Sequence, residues 1–153
     1  LKKQGSLTKQ EALLKLQRYC TYQDRCHQEV RSKLLELSIY GDDLEEIMAY
    51  LVEENYLNEE RFARSFARGK FKMKQWGRIK IRQQLKARQI SDYCIKKGLE
   101  EILEEDYLAS IHLLVSKKLN QDTSDEAKQK VAQYLIRKGY ETQLVWETLN
   151  KYS

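Results

Sequence analysis

Between Arg61 and Arg88 the chain places eleven lysines and arginines and no aspartate or glutamate: Arg61, Arg64, Arg68, Lys70, Lys72, Lys74, Arg78, Lys80, Arg82, Lys86 and Arg88. The whole 153-residue chain carries a net charge of only +5, so the remainder is net negative and the positive charge is localised. Such a field attracts polyanions, because each neutralised phosphate releases condensed counterions, and it can also steer an acidic protein surface. Arginine grips phosphate or carboxylate with two parallel hydrogen bonds, whereas lysine acts as a point charge. Arg64, Arg68, Arg78 and Arg82 are therefore the first choices for defined contacts. Arg61, Arg64, Arg68 and Lys72 recur at helical spacing and share one face, while Phe62 and Phe66 turn to another. Trp76, beside Gly77 and between two basic helices, is placed to stack on an unpaired base or fill a partner's pocket; its ordinary role is a hinge residue packed on the core. The competing account of the segment is a solvated surface answered by Glu100, Glu101, Glu104 and Glu105.

Those carboxylates do not make an active site. They have no histidine nearby, no glycine-rich phosphate loop and no nucleophile motif, and the basic segment holds no acidic residue to gather a metal ion. Cys20, Cys26 and Cys94 are not spaced as metal-binding pairs, and His27 and His112 do not complete a zinc set with them. The reading is a non-enzyme with free, mostly buried thiols and no cofactor or metal.

The elements that must position the basic residues are helices. The chain has no proline and six glycines, and its common residues lose little rotamer freedom in a helix. No apolar run approaches the roughly 20 residues that span a bilayer, and residues 1–6 lack the apolar middle of a signal peptide. A soluble, cytoplasmic protein without a membrane partner is expected. Thr8 to Glu11 fits a capping box, with helix 1 running to about Cys20. Thr21 or Asp24 is the expected cap of helix 2, Asn58 of helix 4, Ser91 or Asp92 of helix 6, Ser124 or Asp125 of helix 8 and Thr142 of helix 9. Gly41 and Gly139 supply the backbone freedom for reversals. Residues 120–124 form the expected irregular connection.

A longer period underlies these signals. Val30, Leu34, Ile39 and Leu44 are matched by Ile81, Leu85, Ile90 and Ile95, and again by Val131, Leu135, Tyr140 and Val145. Each set describes a helix, a tight reversal and the start of a second helix. A further helix opens each unit, with stripes Leu13 and Leu16, then Phe62 and Phe66, then Leu108, Ile111 and Val115. The expectation is an all-α chain of three tandem three-helix repeats, at 1–57 with a short N-terminal tail, 58–105 and 106–153. Each unit is too small to bury a large core alone, so the repeats should stack into an elongated, curved array.

Tyr56-Leu57-Asn58-Glu59-Glu60-Arg61-Phe62-Ala63, the basic stretch, and Gly77-Arg78-Ile79-Lys80-Ile81-Arg82-Gln83-Gln84-Leu85 resemble the RecX family of regulatory proteins. The resemblance runs from about Glu11 to Tyr152. The family often has aspartate where Asn58 or Glu59 stands, and Lys-Gly-Ile where this chain has Arg88-Gln89-Ile90; Lys138-Gly139-Tyr140 keeps the Lys-Gly pattern. These departures touch a cap and a turn. The resemblance implies a monomeric, non-catalytic regulator of DNA recombination and repair that binds the RecA nucleoprotein filament and mainly inhibits its recombinase and ATPase activity, with weak, non-specific contact to single- or double-stranded DNA. Two other readings stay open: a helix-turn-helix-like DNA-binding module around Gln89, and a helical-repeat adaptor for another acidic protein.

Overall fold

A computed structural model describes residues 7–153, and residues 1–6, read above as a tail without an apolar middle, lie outside the described residues. Among the described residues there are nine helices and no strand: α1 (Lys9–Tyr22), α2 (His27–Glu36), α3 (Gly41–Glu53), α4 (Glu59–Lys74), α5 (Arg78–Ala87), α6 (Asp92–Leu99), α7 (Glu104–Leu119), α8 (Asp125–Arg137) and α9 (Thr142–Leu149). None is long and apolar enough to cross a membrane.

All twelve residues of the repeated pattern are buried, none more than 6% exposed. The reversals between them are built alike. Ser38, Gln89 and Gly139 each take a left-handed backbone, with φ of 63°, 61° and 99°. The next residue then donates its N–H back to the preceding helix: Ile39 to Leu34 at 2.9 Å, Ile90 to Leu85 at 3.1 Å and Tyr140 to Leu135 at 3.1 Å. This satisfies carbonyls that a helix end leaves open, in the manner of a Schellman motif. Only the third copy uses glycine there. A side chain in the left-handed region costs about 1 kcal/mol, so Gln89→Gly is expected to stabilise the protein by up to that amount in equilibrium urea unfolding. A loss of stability would mean that the Gln89 side chain contributes something its exposed position does not reveal.

The local cap signals are mostly where expected. Thr8 and Glu11 form the reciprocal capping box, and Asn58, Ser91 and Ser124 accept from the backbones of Arg61, Cys94 and Ala127. Two caps differ. Helix α2 starts after Cys26, not at Thr21 or Asp24, and Glu29 accepts from the Cys26 N–H at 2.9 Å. Helix α9 starts after Glu141, with Thr142 already its first residue. The two differ in kind: Glu29 bonds the Cys26 N–H from three residues on and lies 4.0 Å from Arg25 four residues earlier, whereas Glu141 stands at the N-cap with its carboxylate on Arg78 rather than on a backbone N–H. Gly41 has φ +56° but opens α3, because Ser38 makes the reversal. The α7 stripe also shifts, with Tyr107, Ile111, Leu114, Val115 and Leu119 inside and Leu108, expected in the stripe, exposed.

The helices α1–α3 enclose one apolar core, centred on Leu16, Leu34 and Leu51, while α4–α9 share a second that also takes in Cys26. Within the second core, α4 and α6 approach closely because a Cβ on Gly98 would lie 2.6 Å from the carbonyl oxygen of Ala63. The three cysteines are free and buried, and burial pushes the Cys20 thiol up to about 11.

Candidate polyanion-binding surface

Helix α4 buries Phe62, Ala63 and Ala67, which leaves Arg64, Arg68 and Lys72 on its outer side. Helix α5 has no side-chain cap of its own. Three successive N–H groups at its start are instead satisfied by the third unit: Gly77 donates to the Lys138 carbonyl at 2.8 Å, Arg78 to the Tyr107 hydroxyl at 3.0 Å and Ile79 to the Gly139 carbonyl at 3.0 Å. The reversal after α8 thus acts as the cap of α5 and fixes where Arg78, Lys80 and Arg82 project. The contact is backbone on backbone, since a Cβ on Gly77 would fall 2.3 Å from the Gly139 carbonyl carbon and oxygen.

The positive charges of the segment are not all unanswered. Arg61 pairs with Asp24 at 2.7 Å, joining the first unit to the second. Arg64 reaches Glu60 at 3.0 Å and Glu101 at 2.7 Å, and Arg68 reaches the other oxygen of Glu101 at 2.6 Å. The hydrogen bonds from Arg68 and then Arg64 hold the Glu101 carboxyl below its ordinary value, so this clamp survives mild acid and is lost only as pH falls through that lowered value. Lys86 lies 3.2 Å from Asp92. Arg78 is the most engaged of all. It binds Glu104 at 2.9 Å and Glu141 at 3.0 Å, and its guanidinium lies 3.8 Å over the Tyr107 ring. Tyr107 donates its hydroxyl to Glu141 at 2.5 Å, and burial followed by that bond holds the phenol well above its usual value.

Among the described residues, Lys70, Lys72, Lys74, Lys80, Arg82 and Arg88 make no ion pair with a carboxylate. Lys72, Lys74 and Arg82 are exposed. Arg82 borders an open groove of about 730 Å³ between α5, α6 and the start of α7, whose charged lining mixes Arg78, Lys86 and Lys96 with Asp92, Glu100 and Glu104. Trp76 is half-buried against the second core, edge-on to Phe66 at 6.3 Å. Its ring faces Lys80 at 4.6 Å and Lys70 at 5.0 Å. Of the four arginines favoured by sequence for defined contacts, Arg64, Arg68 and Arg78 are paired, and Arg82 alone makes no ion pair among the described residues. No group of three or more His, Cys, Asp or Glu side chains is placed to hold a metal among the described residues.

Two family models match the chain: "RecX, second three-helix domain" over residues 58–99 and "RecX, third three-helix domain" over residues 104–149, together more than half of its length. The chain belongs to the RecX family. Every candidate residue from Arg61 to Arg88 falls within the second RecX domain. The regulatory protein RecX of Lactococcus lactis subsp. cremoris (strain SK11) is 30% identical over 128 residues, covering 80% of this chain and 48% of that protein. The RecX of Bacillus mycoides (strain KBAB4) is 27% identical over 139 residues, covering 89% and 52%. This chain therefore spans about half the length of the curated RecX relatives it matches. The crystal structure of RecX from Lactobacillus salivarius superposes with a TM-score of 0.83 at 22% identity, covering 94% of this chain and 96% of that one. A second crystal structure, of a regulatory protein RecX, gives 0.81 at 23% identity and covers 94% and 73%. These two likenesses establish the RecX fold.

Proposed function

We propose that this chain binds the RecA nucleoprotein filament and modulates it, mainly by inhibiting recombinase and ATPase activity in DNA recombination and repair, without chemistry of its own. The observation that carries the reading is the group of cations in the second three-helix unit that no carboxylate of the described chain answers, Lys70 to Lys74 with Lys80, Arg82 and Arg88. Kinship with proteins named as regulators supports the role. The units at 1–57, 58–105 and 106–153 act as linked modules, so that several weak contacts along a filament combine into one avid interaction.

The test is RecA's ATPase on single-stranded DNA as this protein is titrated in. The expected result is inhibition at amounts well below one protein per RecA subunit, which simple competition for DNA does not produce. No effect at excess protein sinks the proposal and moves the reading to a DNA-binding module.

A further inference from the structure

The ring faces of the second unit carry an alternating order of cations and aromatics. The Arg88 guanidinium lies 4.8 Å from the Phe66 centroid, Lys70 lies 5.4 Å from Phe66 and 5.0 Å from Trp76, and Lys80 lies 4.6 Å from Trp76. None of these three cations meets a carboxylate among the described residues; Arg88 donates only to the backbone and side-chain oxygens of Gln84. Beside Phe66 runs a shallow pocket of about 180 Å³ lined by Ser65, Phe66, Gly69, Lys70, Met73 and Lys74. Gly69 sits inside α4, and a Cβ there would meet nothing within 4 Å, so packing does not require glycine at that position. Its absence of a side chain leaves the helix open to close approach. Met73 is 84% exposed at the far end of the pocket.

We propose that Phe66 and Trp76, with Lys70, Lys80 and Arg88, form a stacking site for unpaired bases, so that this chain contacts single-stranded nucleic acid directly and prefers it to duplex. The placement inside a RecA filament rests on the function proposed above; the site itself does not. Lys70, Lys80 and Arg88 are half-buried, and a cation over a ring is worth about 2- to 5-fold in an equilibrium when exposed and about 30-fold when desolvated, against about 5- to 150-fold for a base stacked on an aromatic side chain. A strand that stacks on the rings displaces the ammonium groups, and the freed lysines gain its phosphates in exchange. Bases in a duplex are already stacked and offer no face to Trp76. The pocket on the other flank of Phe66 is lined by Lys70 and Arg88 together with Asp24 and Glu29, whose charges Arg61 and Arg25 already answer.

Trp146→Phe leaves Trp76 as the sole tryptophan. Titration of that protein with oligo(dT) is expected to quench its emission, and a duplex of equal charge is expected to leave most of it. Trp76→Ala should weaken oligo(dT) binding about 10-fold without changing the slope of log K against log salt. Lys70→Gln with Lys80→Gln should lower that slope by about 1.4. Trp76→Phe keeps a ring and should keep most of the affinity, which separates stacking from a folding defect in the alanine variant. Equal quenching by duplex, or unchanged oligo(dT) affinity in a folded Trp76→Ala protein, overturns the site. These readouts need no RecA, so quenching that persists without ATPase inhibition would sink only the filament reading.

Discussion

Replacing Gly77 with alanine is expected to lower the melting temperature by about 6–12 °C, the shift that about 3 kcal/mol produces in a chain of this size. The reason is the backbone contact between the second and third units. An added methyl would lie 2.3 Å from the Gly139 carbonyl carbon and oxygen and 2.5 Å from the Tyr140 nitrogen. Neither neighbour is a side-chain tip that can swing away. Relief requires the units to part, which strands the N–H groups of Gly77, Arg78 and Ile79. Overpacking costs about 1–3 kcal/mol, and each buried donor left unpaired adds about 1–3 kcal/mol, so about 3 kcal/mol is a low figure. Gly69→Ala is the control, because that position is helical and empty around it. It should gain about 0.5–1 kcal/mol, the usual preference for alanine inside a helix. Thermal unfolding followed by circular dichroism reads both. Equal shifts for the two variants would show that the Gly77–Gly139 contact does not hold the units together.

That contact also shows where sequence reading stops. The twelve-position repeat was legible because each unit repeats a local instruction, in which burial at helical spacing is followed by a left-handed residue and a return hydrogen bond. The caps at Thr8, Asn58, Ser91 and Ser124 were legible for the same reason, since each side chain bonds a backbone group three residues on. The pairings that reshape the candidate surface are not local. Glu101 meets Arg64 and Arg68 across 37 and 33 residues, and Glu141 meets Arg78 across 63. No spacing rule connects them. A count of charge therefore found the basic segment and named Glu101 and Glu104 among the carboxylates that could answer it, but not which arginines they hold. One available signal went unused: Gly98 inside an amphipathic helix, with Ala63 and Ala67 on α4, marks a close helix crossing. That crossing brings the end of α6, and with it Glu101, to the arginine face of α4.

Lys72→Ala with Lys74→Ala is expected to weaken binding to DNA or to RecA filaments about 50-fold at 0.1 M salt, and Arg64→Ala with Arg68→Ala less than about 10-fold. Both pairs remove two positive charges, so the long-range field changes equally and the difference isolates direct contact. A phosphate contact contributes about 0.7–0.9 to the logarithmic salt slope, or about 5- to 8-fold at 0.1 M salt. Lys72 and Lys74 are exposed and without a carboxylate partner among the described residues, so they give that contribution in full. Arg64 and Arg68 are clamped by Glu101. A phosphate reaching them must first displace a carboxylate that already supplies the same charge-assisted bonds, and the counterions it would release have largely been released. The lysine pair should therefore lower the salt slope by about 1.4–1.8 and the arginine pair by well under 1. Fluorescence anisotropy across a salt series measures both quantities. A larger loss from the arginine pair would mean that Glu101 yields its arginines to the ligand, and unchanged binding in the lysine pair at low salt would remove the end of α4 from the interface.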